Sequence, residues 1–352
     1  MRRGGVVRQS RRPLLALALA SRDDHRGAML RRAVILFVIL GLAPGVWLRS
    51  LPLRPNHAQA VDSRAVPRGP ECCSYGPLRL TGAWRLISPN TDFGGWSALL
   101  VARPGRLLAF SDRGYWLDMP QPGQGGDTRI SATFPDDARY KENLDIESAT
   151  RDPESGRIWI ALEGRNAISR HAPGLQGEAI RQPEEMRRWP INSGAEAMLR
   201  LADGRFVAVS EASSEEGGKV HPALLFPGDP TDLGAARHFG FAGPAGYRPV
   251  DMAQLPDGRV LVLMRRLRWP IPARFLIKLA IADPAGIAPG QVWRAREIAD
   301  LNAGPLQTDN FEGLAVEPGR DGAVVVWLIS DDNSAVTQQT LLWRMELPAP
   351  VR

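Results

Sequence analysis

Cysteine is nearly absent from this chain of 352 residues, which contains two of them, Cys72 and Cys73, side by side. Two adjacent thiols offer too few ligands for a zinc site, so a cysteine-based metal centre is excluded. Neighbouring cysteines rarely bridge each other because the geometry is strained. An intermolecular disulfide therefore stays open as the alternative.

Lysine is also scarce, since only Lys141, Lys219 and Lys278 stand among the 44 basic residues. Residues 1–60 hold 11 Arg, two Asp and no Glu, a net charge of +9, whereas the whole chain carries +6. Residues 61–352 therefore carry −3, and the sequence pI of 9.9 reflects the N-terminal segment. This distribution excludes a nucleic-acid-binding function based on the high pI, and no nucleic-acid partner is expected.

A long apolar run is missing as well. The run over residues 33–48 follows the positive stretch Met29-Leu30-Arg31-Arg32 and precedes Ala58-Gln59-Ala60, an A-x-A cleavage pattern. Positive, apolar and small-residue parts in this order predict a secretory signal with a functional start at Met29. The run is shorter than the about 20 residues that span a bilayer. An uncleaved signal-anchor, attached to the inner membrane through residues 33–48, is the alternative.

These features divide the chain into three parts. Residues 1–60 are predicted as the leader, residues 61–77, rich in Pro and Gly, as a linker, and residues 78–350 as the folded domain. The folded domain is expected to be periplasmic or secreted, or membrane-anchored if the leader is not cleaved.

The folded domain repeats one pattern five times. Each copy has a carboxylate or Ser, small or apolar residues, a turn with Gly, an apolar run and then a charged residue. The copies begin at Ser97, Glu147, Glu196, Asp251 and Glu312. Their spacings of 50, 49, 55 and 61 residues lie close to the roughly 40–50 residues of a propeller blade, which is a four-stranded sheet.

Each copy is predicted to form a β-hairpin, because Asp, Pro and Gly mark its tip. The second strand is apolar at almost every position, as in a strand buried on both faces. The sequence thus predicts an all-β fold, a β-propeller of five blades, with a sixth blade of irregular segments left open. Strands at Leu78–Ile87 and Gln339–Leu347 are expected to close the ring, so that no sheet edge stays open.

The charged ends of the hairpins predict a functional face. The start of the first strand and the end of the second are neighbours, so five blades gather these ends around the mouth of the central channel. Carboxylates at this density repel one another unless a cation, an Arg or protonation offsets their charge. Hard oxygen ligands favour Ca²⁺ or Mg²⁺. For any single carboxylate, acceptance of backbone N–H bonds is the structural alternative.

Several short pieces in fixed order resemble one known family. They are Gly94-Gly95-Trp96-Ser97-Ala98-Leu99, Ser111-Asp112-Arg113-Gly114, Asp145-Ile146-Glu147-Ser148, Asn192-Ser193-Gly194-Ala195-Glu196-Ala197-Met198, Asn310-Phe311-Glu312-Gly313-Leu314 and Ser330-Asp331-Asp332-Asn333. Together they resemble the phytase-like ("esterase-like activity of phytase") family over about residues 80–347. The resemblance implies a periplasmic or secreted propeller that acts as a metal-dependent phosphomonoesterase or esterase. The third copy departs from the family, with Glu-Ala-Met in place of Glu-Gly-Leu, a change expected to affect packing more than chemistry.

Roles can be assigned to the matched residues as expectations. The predicted catalytic residues are Asp112, Glu147, Glu196 and Glu312. The predicted ligands of a divalent cation, Ca²⁺ before Mg²⁺, are Glu163, Glu211, Asp251, Asp331 and Asp332. Arg113 and Arg265 are expected to bind a small anionic or ester substrate by bidentate pairing. Asn143, Asn192 and Asn310 precede their acids and are candidates for neutral oxygen ligands or loop supports.

Three functions were compared on this basis. A hydrolase of phosphate or other esters uses the acidic face and a divalent cation. A non-catalytic propeller that binds a ligand or protein is the alternative. A serine esterase is poorly supported, because Gly95-Trp96-Ser97-Ala98 lacks the second Gly of a nucleophile elbow. In addition, none of His171, His221 and His238 lies at a predicted channel-side strand end.

Overall fold

The computed structural model describes residues 29–37, 54–69, 72–134, 145–190, 193–213, 220–268, 274–335 and 337–349. The chain divides into two compact units, Met1–Pro52 and Leu53–Arg352. In the first unit, residues 29–37 form a helix. Among the residues described, no helix has both the length and the apolar character needed to cross a membrane. Most of the predicted apolar run, residues 38–48, lies outside the described residues.

The second unit consists of strands joined by turns. Its strands, in chain order, are β1 (Asp62–Ala65), β2 (Ser74–Tyr75), β3 (Leu78–Ile87), β4 (Trp96–Arg103), β5 (Arg106–Ser111), β6 (Tyr115–Pro120), β7 (Arg129–Ala132), β8 (Ile146–Arg151), β9 (Ile158–Leu162), β10 (Ala167–His171), β11 (Gly177–Arg181), β12 (Ala195–Arg200), β13 (Phe206–Ser210), β14 (His221–Phe226), β15 (Arg237–Ala242), β16 (Arg248–Gln254), β17 (Val260–Arg268), β18 (Arg274–Ala282), β19 (Val292–Arg294), β20 (Arg296–Asp300), β21 (Asn310–Pro318), β22 (Val324–Asp331) and β23 (Leu341–Leu347). Short 3₁₀ helices cover Glu163–Arg165, Glu184–Met186, Pro284–Gly286, Leu301–Ala303 and Arg320–Gly322.

These strands form five antiparallel sheets, which confirms the predicted five-bladed propeller. Blade 1 is β4-β5-β6-β7, blade 2 is β8-β9-β10-β11, and blade 4 is β16-β17-β18-β20. Blade 3 is β12-β13-β14-β15, with β19 added in parallel to β15. The innermost strands β4, β8, β12, β16 and β21 contact one another in this order, and β21 contacts β4 again. Within the described ranges there is no further sheet that would make a sixth blade.

Blade 5 closes the ring with strands from both ends of the unit. Strands β21, β22 and β23 come from the C-terminal part, and β3 pairs with β23 as the fourth strand. This pairing confirms the predicted closure. Strands β1 and β2 add to the outer side of β3, so residues 61–77, predicted as a linker, belong partly to the sheet. Cys72 and Cys73 lie immediately before β2, and Cys73 is buried.

Five apolar clusters hold the propeller together, one between each pair of adjacent blades. Successive residues of a strand point to opposite faces of its sheet. In β9, Ile158 and Ile160 pack in the cluster shared with blade 1, whereas Trp159 and Ala161 pack in the cluster shared with blade 3. The second strands are apolar throughout for this reason, as the sequence predicts.

Candidate functional site

Each innermost strand carries a β-bulge at the same place, near its first residue. The register with the second strand shifts there in all five blades. A bulge adds a residue without a partner in the ladder and re-aims its side chain. The bulged residues are Ser97, Glu147, Glu196, Val250 and Glu312.

A second set of equivalent positions lies beside the bulges. In each blade, one residue of the second strand pairs with the residue just before the bulge. The next residue along the second strand is charged in every blade. These charged residues are Asp112, Glu163, Glu211, Arg265 and Asp331. The ten positions thus hold seven carboxyl groups and one guanidinium. We call these eight the acidic ring: Asp112, Glu147, Glu163, Glu196, Glu211, Arg265, Glu312 and Asp331.

Arg265 joins three blades across the acidic ring. Its Nη2 lies 3.0 Å from Glu211 Oε1 in blade 3. Its Nη1 donates to Asn310 Oδ1 in blade 5 over 2.8 Å and also contacts Glu312 Oε1. Arg248 Nη1 lies 3.0 Å from the other oxygen of Glu211. Blade 4, which has Val250 instead of an acid, therefore supplies the positive charge that its neighbours need.

The carboxyl groups of blades 2 and 3 shift one another's pKa. Burial raises the pKa of Glu196 well above its ordinary value, and the charges of Glu147 and Glu211 raise it further. The interaction between the carboxyl groups of Glu163 and Glu196 also raises the pKa of Glu196. Burial likewise raises the pKa of Glu147 well above its ordinary value, and the charge of Glu163 adds to this.

Two carboxylates of the ring and one beside it lie close enough together to hold a cation. Oxygen atoms of Asp145, Glu147 and Glu163 all lie within 4.8 Å of one another. Asp145, two residues before Glu147, was not among the predicted site residues, although it stands in one of the family motifs. Arg248 was also missed, because nothing in the local sequence shows that it reaches Glu211.

Blade 5 fixes its own acids with hydrogen bonds. Asn310 Nδ2 donates to Glu312 Oε1 over 2.9 Å and to Asp331 Oδ2 over 3.3 Å. Asp331 Oδ1 accepts from Asn333 N, and Asp332 Oδ1 accepts from Ser334 N. Burial raises the pKa of Asp331 to about 7, and the charge of Asp112 is the next cause. Asn143 and Asn192, the other two predicted amide ligands, lie outside the described residues.

Asp251 is not the bulged residue of its blade, although the repeat predicts it at that position. The bulged residue of blade 4 is Val250, so Asp251 is the equivalent of Ser148 in blade 2. Asp251 is 1% exposed. Its oxygens accept from Met252 N over 2.8 Å and from Leu314 N of blade 5 over 2.7 Å. The structure therefore places this carboxyl between two blades, where burial raises its pKa well above the ordinary value.

Arg113 contacts a loop beside the ring. Its Nη2 donates to the carbonyl oxygen of Thr91 over 2.8 Å, and its guanidinium lies over the ring of Tyr115. Burial raises the pKa of Tyr115, and the charge of Asp92 nearby raises it further. The predicted substrate-binding side chain thus holds the segment before Gly94 in place.

Gly94 and Gly95 allow that loop to pass directly against the carboxylates. Both have positive φ, +112° and +71°, a conformation that favours glycine. A Cβ on Gly94 would lie 2.9 Å from Asp332 Oδ1, and a Cβ on Gly95 would collide with Asp112 Oδ1. The Gly-Gly pair of the first motif is therefore required by the shape of the site.

Gly95→Ala is expected to lower the free energy of unfolding by about 3 kcal/mol, because the strain of a positive φ adds to the collision with Asp112. Gly123→Ala is the matched control, since Gly123 has a φ of +88° and nothing within 4 Å of its Cβ position. The control should lose only about 1 kcal/mol. Urea unfolding followed by tryptophan fluorescence measures both. Equal losses would show that the contact with Asp112 is unimportant.

A cavity opens at the other end of the innermost strands. It has a volume of about 530 Å³ and is lined by residues such as Leu99, Leu199, Met252 and Leu314. Its walls combine these apolar side chains with charged ones, among them Asp152 and Arg200. Buried carboxyl groups with a raised pKa are typical of functional sites, and Glu147, Glu196 and Asp331 place such groups at the ring.

One comparison with known proteins indicates the family of the chain. The family model described as "Phytase-like: Esterase-like activity of phytase" matches residues 91–334. No curated protein sequence matches the chain.

Among solved structures, Kuenenia stuttgartiensis hydrazine synthase is similar at 12% identity and a TM-score of 0.35, over 70% of this chain and 59% of that chain. A luciferin-regenerating enzyme is similar at 12% identity and a TM-score of 0.38, over 75% and 83%. YCF48 bound to D1 peptide is similar at 12% identity and a TM-score of 0.36, over 83% and 99%.

Proposed function

The chain belongs to the phytase-like family, and from this premise we propose that it is an exported, cation-dependent hydrolase of phosphate or other esters that acts at the acidic ring. The observation that carries the proposal is the ring itself, with seven carboxyl groups and one guanidinium at equivalent positions of five blades. A purely structural set of acids would pair one by one with arginines or backbone amides. Here, the oxygens of Glu147 and Glu163 instead lie within 4.8 Å of each other and of Asp145, and burial together with the charges of Glu147 and Glu163 raises the pKa of Glu196.

Asp145, Glu147 and Glu163 are the residues that would hold the cation. Their oxygens lie within 4.8 Å of one another, as do oxygens bound to one Ca²⁺ at about 2.4 Å. Three carboxylates are also the hard donors that Ca²⁺ and Mg²⁺ prefer. Bound there, a divalent cation supplies a Lewis acid that polarises the ester and eases deprotonation of water.

The other ring residues would bind the substrate and move protons. Arg265 presents a guanidinium at the mouth and pairs with an anionic oxygen of the substrate. Glu196, whose pKa burial raises well above its ordinary value, is the candidate general acid for the leaving oxygen. Glu312 keeps Arg265 in position through their ion pair. Asp112, between the loop and Asp331, is the candidate to orient the attacking water.

The remaining predicted ligands already have partners in the protein. Glu211 pairs with Arg248 and Arg265, while Asp331 and Asp332 accept main-chain hydrogen bonds. In the proposal these three shape the ring and set its charge. A ring that binds a cationic or anionic ligand without turnover is the second candidate, because the same charges serve binding alone.

Turnover of p-nitrophenyl phosphate and of a short-chain p-nitrophenyl ester by the full-length protein tests the proposal. With Ca²⁺ we expect turnover of at least one substrate, and with EDTA at least a 100-fold fall. Glu147→Gln should cause a similar fall without unfolding, because it weakens the cation site. Glu154→Gln, an exposed acid at the turn of the same blade, is the control and should keep full activity.

Two outcomes would contradict this assignment. Turnover that is unchanged by EDTA would remove the cation from the mechanism. No turnover of either substrate, together with retained Ca²⁺ binding by calorimetry, would favour the binding propeller.

A further inference from the structure

Residues Asn56–Ala60, which we call the N-terminal strap, lie along the loop that precedes blade 1. Asn56 O accepts from Thr91 N over 2.9 Å, and Asn56 N donates to Thr91 Oγ1 over 3.2 Å. Further along, Ala58 O accepts from Asn90 Nδ2 over 2.9 Å. The strap is thus paired with this loop through its own main chain, as an additional strand would be.

The strap also contacts the outer strand of blade 1 and continues into blade 5. Gln59 O accepts from Thr128 Oγ1, and Gln59 Oε1 accepts from Ile130 N. Ala60 O accepts from Ser88 Oγ over 2.7 Å. Two residues later β1 begins and pairs with β3. The strap therefore ties blade 1 to blade 5 at the closure of the ring.

The loop held by the strap is the one that shapes the acidic mouth. Thr91, bonded to Asn56, also accepts from the guanidinium of Arg113. Asp92 lies 3.1 Å from His57 Nδ1. Three residues further, Gly95 lies directly against the Asp112 carboxylate. The strap therefore helps to hold the loop that packs against the Asp112 carboxylate of the ring.

We propose that the N-terminal strap is a permanent part of the folded protein, where it positions the Ser88–Gly95 loop at the acidic mouth, and that any removal of the leader takes place before Asn56. Cleavage after Ala60, at the A-x-A pattern, would remove the hydrogen bonds that the strap makes and leave Thr91 N, Asn90 Nδ2 and Ile130 N without these acceptors. The compact unit itself begins at Leu53, ahead of the strap. This inference does not depend on the proposed hydrolase function.

The site of cleavage can be measured directly. The full-length chain, tagged at its C-terminus, is expressed in a Gram-negative host, and the intact mass of the purified protein gives its first residue. We expect a chain that still contains residues 56–60. A protein that begins at Val61 would overturn the proposal.

The positioning role is tested by amide hydrogen exchange on full-length variants. His57→Ala with Gln59→Ala removes the two strap side chains that reach the body. Asp62→Ala with Arg64→Ala is the matched control, because the side chains of these two β1 residues form an ion pair with each other. We expect exchange in a peptide covering 88–95 to rise about threefold or more in the first variant and to stay unchanged in the second.

Equal exchange in both variants and the unmodified protein would overturn the positioning role. Because exchange is read without any substrate, this result is independent of whether the protein hydrolyses esters. A rise in the 128–132 peptide alone would also count against the proposal, since it would limit the strap to local contacts with blade 1.

Discussion

Arg265→Met is expected to lower the free energy of unfolding by about 3–5 kcal/mol in EDTA. The guanidinium joins Glu211 and Glu312, whose side chains are only 10% and 11% exposed. Removal of Arg265 leaves Glu312 in a poorly solvated place without its cationic partner, and it leaves Glu211 with Arg248 alone. Methionine keeps most of the apolar volume, so the loss reports the charge. Chemical unfolding followed by circular dichroism measures it.

Two further variants make this prediction specific. Arg266→Met changes the neighbouring, exposed arginine, and it should cost less than about 0.5 kcal/mol. Combining Arg265→Met with Glu312→Gln should recover part of the loss, because one uncompensated charge is removed. If Arg265→Met lowers the free energy of unfolding no more than Arg266→Met does, the acidic ring does not need the Arg265 guanidinium for stability.

Asp251→Ala is expected to be the second most damaging change, at about 2–5 kcal/mol. It leaves Met252 N and Leu314 N without their acceptor in a buried place, at about 1–3 kcal/mol for each unsatisfied group. Asp251→Ser should lose about half as much. At the equivalent place in blade 2, Ser148 Oγ already accepts from Met198 N over 2.8 Å, so a serine at position 251 can keep one of the bonds.

The affinity for Ca²⁺ shows whether Asp251 supports the structure only or also binds the cation. Titration calorimetry should give the same dissociation constant for the unmodified protein and for Asp251→Ser. If Asp251→Ser stays folded but binds Ca²⁺ tenfold or more weakly, Asp251 is a cation ligand, as the repeat predicts.

The raised pKa of Asp251 also predicts how the free energy of unfolding depends on pH. Its folded-state pKa is raised by burial, so the folded protein holds this proton more tightly than the unfolded chain. The stability from this group is complete below the ordinary pKa of Asp, about 3.9, and is lost as pH rises through the folded-state pKa. Asp251→Ser should therefore flatten the fall of stability with rising pH.

Much of the fold could be predicted because its signals are local. Turn residues such as Asp257 and Gly258, and strands such as Val260–Met264 that are apolar at every position, are adjacent in sequence. Five such hairpins determine five blades, because each buries both faces against its neighbours. The same periodicity placed Glu147, Glu163, Glu196 and Glu211 at one end of their strands, where the structure has them.

The pairing of charges and the register were decided only by tertiary structure. A one-residue bulge puts Val250 where the repeat suggests Asp251, and a shift of one residue moves a side chain to another face of a strand. Arg248, Asp145 and the strap residues gain their roles from partners that are distant in sequence, such as Thr91 for Asn56. Burial, hydrogen bonds between blades and the repulsion of carboxylates depend on distances through space. The five-bladed ring and its acidic end therefore followed from the sequence, whereas contacts in the folded chain determined which acids pair with arginines, which have a raised pKa and which only support the blades.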